Sequence, residues 1–256
     1  MISDEDLKQL YLNGRRLLDE HWEDPKHPTL QFFRGKGGLI WKDKRLVSCE
    51  RHMAVFNEFN IIPKYCFDCY KVVITPRNVV ELFKLMVVFE KLDLPNDNTR
   101  KCLAESRMEI SGTYTGLIYC MGIKEGREVL KIAQKVVSEE ISEKIVVNLK
   151  RGCSEYALAY PKYAKVSQGA SAMKYKKKWQ KYEDLADKNN YFDNTQPAVG
   201  NTFNNPGYTC REAHVMHAWL TYAAAIGDLS YQRISGRVLP PNPQVVRPIP
   251  FSPVEE

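Results

Sequence analysis

Cys66-Phe-Asp-Cys69 sets two thiols three residues apart in a chain that holds seven cysteines. Thiolates are nucleophiles and soft metal ligands, so such a pair points either to covalent thiol chemistry or to zinc or iron. Zinc takes four ligands, commonly as two close pairs, and a second Cys-x2-Cys is missing here. Cys153, expected beside the pair, and His217 are the residues that would join Cys66 and Cys69 around an ion. His52 and Cys49 are further candidates whose place the sequence does not fix. Reduced cysteine is also among the most buried residue types, so plain core packing competes with both chemistries.

A second constellation is Cys210, His214 and His217, which fall at i, i+4 and i+7 of one helix and so form one stripe. Thr209-Cys-Arg-Glu212 reads as a capping box, which places Cys210 in the first turn, where the helix dipole favours a thiolate. His214 would then serve as its base, or both histidines would join Cys210 as metal ligands, and Arg151 would capture an anionic substrate group through its guanidinium fork. The competing reading is a helix packed through Met216, Trp219, Leu220 and Ala223 with both histidines on the rim. Arg100 and Arg107 are expected, like Arg151, on the sheet, where solvated side chains compete with anion capture.

A third feature is basic. Between Tyr156 and Tyr182 there are seven lysines and no acidic residue, more than the whole formal net charge of +6. Lys174, Lys177, Lys178 and Lys181, interleaved with Trp179 and tyrosines, would neutralise phosphates and stack bases of RNA. The ring-bearing strand motifs familiar from RNA-reading sheets are not evident, and a solvated helix face explains lysines equally well.

These residues need elements to position them. Residues 4–20 read as an amphipathic helix through Leu7, Leu10, Leu17 and Leu18. Arg34-Gly-Lys-Gly-Gly38 lacks the spacing of a phosphate loop and reads as a turn. Residues 65–75 are aromatic and β-branched and read as a strand, followed by a helix from an Asn78 cap to Leu92. Two strands, 101–110 and 115–121, are joined across Ser111-Gly112 as a hairpin. A helix over 125–141 and a strand over 144–156 complete the series.

Strand, helix, strand, strand, helix, strand is the split βαβ, or ferredoxin-like, order: an α+β fold with a four-stranded sheet and two helices on one face. The first and third strands are expected to be central and parallel, with the fourth antiparallel beside the first. That puts Cys66, Cys69 and Cys153 at one edge and Cys102 with Cys120 at the other. The chain then divides into 1–63, an N-terminal helix and connecting segment; 64–156, the core; and 157–256, a C-terminal region packed on that core. The last region holds a basic aromatic helix over 172–188, a polar loop, the capped helix to about Ile226, and six prolines between Pro240 and Pro253.

Length and composition set the bounds. At 256 residues and 44% hydrophobic content the chain can bury a substantial core. No run reaches the roughly 18 apolar residues of a membrane span. Met1-Ile-Ser-Asp-Glu-Asp-Leu7 has no basic flank and apolar stretch of a signal peptide, so a cytoplasmic, reducing setting is expected. The expectation is an enzyme or enzyme component using cysteine thiols, with or without zinc or iron, on a small anionic ligand and with no membrane partner. The alternative is a non-catalytic module whose 156–182 segment engages RNA or an acidic partner. A third is a structural subunit docked by its proline-rich tail.

Overall fold

The computed structural model describes residues 2–20, 31–34, 39–40, 46–47, 49–105, 112–166, 172–189 and 210–238. In chain order these form α1 (Asp4–Glu20), β1 (Gln31–Arg34), β2 (Leu39–Ile40), β3 (Leu46–Val47), α2 (Cys49–Phe59), β4 (Cys69–Thr75) and α3 (Val79–Lys91). They continue with β5 (Arg100–Ala104), β6 (Tyr114–Met121), α4 (Gly122–Glu140), β7 (Val146–Arg151), α5 (Ser154–Ala159), α6 (Gln180–Lys188), α7 (Cys210–Ile226) and α8 (Gln232–Ser235). The glycine cluster at 35–38, the polar loop at 190–208, Arg107 and the prolines at 240–253 lie outside the described residues.

The expected mixture of helix and sheet is present, built on an antiparallel sheet of five strands in the order β1-β5-β6-β4-β7. Two expectations are corrected. The strand count rises because Gln31–Arg34 adds to the outer side of β5, burying Phe32 opposite Cys102. A four-residue strand beside a glycine cluster has too little periodicity to be read from sequence. The central strands are antiparallel, with Cys69 opposite Met121 and Ile74 opposite Gly116. The helix α3 returns the chain so that β5 runs with β4, and both are antiparallel to β6 between them.

Boundaries moved for local reasons. Residues 64–68 form a 3-10 turn after Pro63, so β4 begins only at Cys69. The strand expected to reach Tyr156 ends at Arg151, where Gly152 adopts φ +56, and α5 follows. Only Gly takes that left-handed backbone without cost. The helix expected over 172–188 is a 3-10 turn at Lys177–Trp179 running into α6. The α3 reading holds, with the Asn78 side chain accepting from Glu81 N at 2.9 Å.

Alternation along the strands separates the two faces. Tyr70, Val72, Ile74, Ile118 and Cys120 face α3 and α4 in the main core, which α1 and α7 extend on the outside of α3. The approach of α3 to β6 is close: a Cβ on Gly116 would lie 2.4 Å from Leu85 Cδ2. Asp228, beyond α7, ties the C-terminal region to this layer by accepting from Val79 N and Tyr114 Oη, each at 2.7 Å. A second, aromatic core gathers Phe67, Tyr156, Tyr163 and Trp179 with residues of α2 and α6, away from the main one. Arg51 of α2 fastens the two helices by bonding Asp187 and Glu183 of α6. Among the described residues no helix is long and apolar enough to cross a membrane.

Candidate active site

On the sheet face away from α3 and α4, β4 presents Cys69, Lys71, Val73 and Thr75 by the period-two rule. In register, Lys71 lies between Tyr119 of β6 and Lys150 of β7. This face is sealed at one end and open at the other: Cys69 and Lys71 are 7% and 6% exposed, while Val73 and Thr75 are half-buried. At the open end lies a cavity of about 470 Å³ whose wall includes Val73, Lys101, Leu117, Lys150, Cys153 and Ser154.

Gly152 creates the site's geometry. Its N–H donates to Cys69 O at 2.8 Å, continuing the β4–β7 ladder by one step. Its left-handed backbone then turns the chain, so that Cys153 Sγ accepts from Lys71 Nζ at 3.1 Å. No side chain fits at Gly152, because a Cβ there would sit 1.8 Å from Tyr163 Oη. That hydroxyl is itself fixed by donating to Cys66 O at 2.6 Å.

A buried ammonium is costly unless an anion or acceptor compensates it. The Lys71 ammonium has the Tyr119 ring at 5.0 Å and the Cys153 sulfur as its hydrogen-bond acceptor. Burial opposes the Lys71 charge, yet the Cys153 sulfur beside it holds it well above the ordinary lysine range. Next along the chain, Ser154 Oγ accepts from Lys150 Nζ at 2.7 Å. A thiol and a hydroxyl on consecutive residues therefore each meet a lysine at the mouth of one cavity.

The other thiols have different surroundings. Burial pushes Cys69 up to about 12 and Cys66 well above its ordinary value. Cys66 Sγ lies 3.4 Å from His52 Nδ1 and donates to Tyr156 Oη at 3.6 Å. Burial, with the Arg51 charge alongside, pushes His52 down to about 3, so this pair meets as a neutral thiol and a neutral ring. Cys102 and Cys120 are fully buried, as core residues would be, but they are not neighbours in register: Cys102 faces Gly116 and Cys120 faces Tyr70.

The constellation of Cys210, His214 and Arg151 is not assembled. Arg151 belongs to β7 and α7 packs by β1, at opposite edges of the sheet. The Cys210 side chain and Thr209 lie outside the described residues. Arg151 is buried rather than solvated; it gives Nε and Nη2 to Phe67 O and Nη1 to Met173 O, with the Phe67 and Tyr163 rings about it. Its fork is spent on backbone carbonyls, so it serves the fold. Arg100 does likewise with Phe89 O and Asn98 O.

The set Cys66, Cys69, Cys153 and His217 is also divided. His217 sits on α7 with Nδ1 3.1 Å from Tyr11 Oη of α1, and its burial, with Arg15 nearby, lowers its pKa. Among the described residues no group of three His, Cys, Asp or Glu side chains is placed to hold a metal ion. In the basic segment, Trp179 is 5% exposed within the aromatic core and presents no face for a base to stack on; Lys174, Lys177, Lys178 and Lys181 lie at the surface around it.

Sequence reasoning passed over Lys71, Lys150 and Lys101. The signal was available in Tyr70-Lys-Val-Val-Ile74, where a lysine interrupts an otherwise apolar central strand at the phase of the open face. No protein-family model, curated protein or solved structure matches the chain.

Proposed function

We propose that this protein is an enzyme whose nucleophile is Cys153, reacting as a thiolate paired with the Lys71 ammonium on a small anionic substrate held in the open-face cavity. The observation that carries the reading is the 3.1 Å contact between a lysine with 6% exposure and a sulfur at the cavity wall. A buried ammonium favours an anionic partner, and a thiolate is the form that attacks electrophiles. Lys101 and Lys150 add positive charge where the substrate enters, which draws anions and fixes their orientation. In the reaction Cys153 Sγ bonds to the electrophilic atom of the substrate, the leaving group departs with the bonding pair, and Lys71 supplies the proton that neutralises it.

The strand order β5-β6-β4-β7, with α3 and α4 in the two crossovers, supports a ferredoxin-like split βαβ core to which β1 has been added. The reading needs no ion on Cys153, because a cation there would face the Lys71 ammonium.

Competitive alkylation tests it. Cys153 should react with iodoacetate at pH 7 roughly tenfold faster than the thiol of an unstructured peptide carrying one cysteine. The anionic reagent should lose its advantage over neutral iodoacetamide in Lys101→Gln/Lys150→Gln. Equal rates at Cys153 and the peptide thiol would remove the basis for the assignment.

A further inference from the structure

The reading of Cys153 as the reactive thiolate leaves Cys69 unexplained. Cys69 is a buried thiol on the open face, two residues from Lys71 on the same strand. Gly152, whose N–H bonds Cys69 O, is its cross-strand neighbour, and Cys153 is the next residue. Cross-strand Cα atoms lie about 4.5–5.5 Å apart, so Cys153 follows directly on the residue opposite Cys69, and the two thiols are near enough to interact electrostatically.

Resting on that reading, we propose that Cys69 is the resolving thiol of Cys153, so that the site reduces hydroperoxides and closes as a Cys69–Cys153 disulfide. Reactive thiolates with a neighbouring second thiol undergo this sequence once the first sulfur is oxidised. In the first step Cys153 Sγ attacks the terminal oxygen of the hydroperoxide. The S–O bond forms, the O–O bond breaks, and the leaving alkoxide takes a proton from Lys71. Cys153 is then a sulfenic acid and Lys71 a neutral amine.

Burial now works in favour of the next step. With the thiolate charge gone, a neutral amine is the form a buried lysine prefers. That amine accepts the proton of the Cys69 thiol. Cys69 Sγ attacks Cys153 Sγ, the S–S bond forms, and hydroxide leaves as water with the same proton. Two electrons have passed from the two sulfurs to the peroxide, giving one alcohol and one water. An external dithiol reductant restores the thiols.

The neutral state of Cys69 fixes the order of events. Its burial holds it protonated until Lys71 is free to take the proton, so Cys153 is oxidised first. Cys49 is the rival resolving thiol, being close enough to both cysteines and to Lys71 to interact electrostatically.

The test uses the reduced full-length chain and one equivalent of hydrogen peroxide. Peptide mapping under non-reducing conditions should recover a linked pair containing Cys69 and Cys153. Cys69→Ser should instead accumulate a Cys153 sulfenic acid that dimedone traps, and Cys69→Ala should repeat this with an apolar side chain should the serine disturb folding. A disulfide from Cys153 to Cys49 or Cys66, or a persistent sulfenic acid in the native chain, would overturn the role of Cys69. So would an unoxidised Cys153 that alkylates quickly with iodoacetate. Those results leave the nucleophile standing, whereas slow alkylation together with no oxidation would sink both readings.

Discussion

The two faces of the sheet treat one residue type in opposite ways. On the face under α3 and α4, Cys120 and Cys102 are sealed among Tyr70, Ile118 and Phe89 and act as small apolar side chains. One residue along the same strands the phase reverses, and Cys69 shares its face with Lys71, Tyr119 and Lys150. Desolvation acts on thiols of both faces, pushing Cys120 and Cys69 alike upward. What differs is the charge beside them. A cysteine becomes a chemical group here through a buried lysine and a glycine that turns the chain toward it, and spacing between cysteines plays little part.

Each face depends on one glycine, and substituting them separates the faces experimentally. Gly152→Ala should have the largest effect. It forces a side chain into a left-handed backbone and onto Tyr163 Oη, and should cost about 2–5 kcal/mol in denaturant unfolding. Fast alkylation of Cys153 should disappear with it. Gly116→Ala strikes the helix face, where the nearest atom is the movable end of Leu85. A loss of about 1–3 kcal/mol is expected, with Cys153 alkylation unchanged. If Gly116→Ala also slows Cys153, the faces are coupled and the comparison fails.

Legibility in the sequence followed the range of the interactions involved. The Asn78 cap, the α3 run and the α4 stripe are local patterns, and they placed both helices and the three strands of the sheet centre. The β1 addition is a long-range pairing of four residues, and nothing within Gln31–Arg34 specifies its partner. The edge bearing Cys66, Cys69 and Cys153 was readable because β7 lies beside β4. Its chemistry was not, since Lys71 owes its meaning to Gly152, which sits 81 positions further along the chain and whose backbone angle is a tertiary matter. Arg151 misled for a related reason. An arginine at a strand end looks available for anions until the chain places Phe67 O and Met173 O within its reach.

The aromatic core that closes one end of the open face carries its own pH signature. His52 has a pKa of about 3 in the fold, against an ordinary 6.5. Below pH 6.5 the unfolded chain therefore binds a proton that the folded chain refuses, so stability falls as pH drops from about 6.5 toward 3 and is level above that window. By pH 5 this amounts to about 1–2 kcal/mol. His217, lowered in the same direction, adds to the slope from the α7 side. Urea midpoints measured from pH 7.5 to 4.5 should flatten by nearly one proton in His52→Gln. An unchanged slope would mean that His52 is protonated within the fold.

Lys71→Met should change stability least and chemistry most specifically. Methionine keeps an unbranched side chain of similar length in the 6% exposed site and removes the charge. Removing one member of a buried ion pair usually strands the other charge at a cost of several kcal/mol, but a thiolate can avoid this by taking a proton. Stability should therefore stay within about 1 kcal/mol of the parent. The iodoacetate rate at Cys153 should fall about tenfold or more at pH 7. Cys120 should be silent in both proteins, since its face never depended on the lysine. A variant that lost several kcal/mol while Cys153 kept its full rate would show that Lys71 holds the structure together and leaves the sulfur as it was.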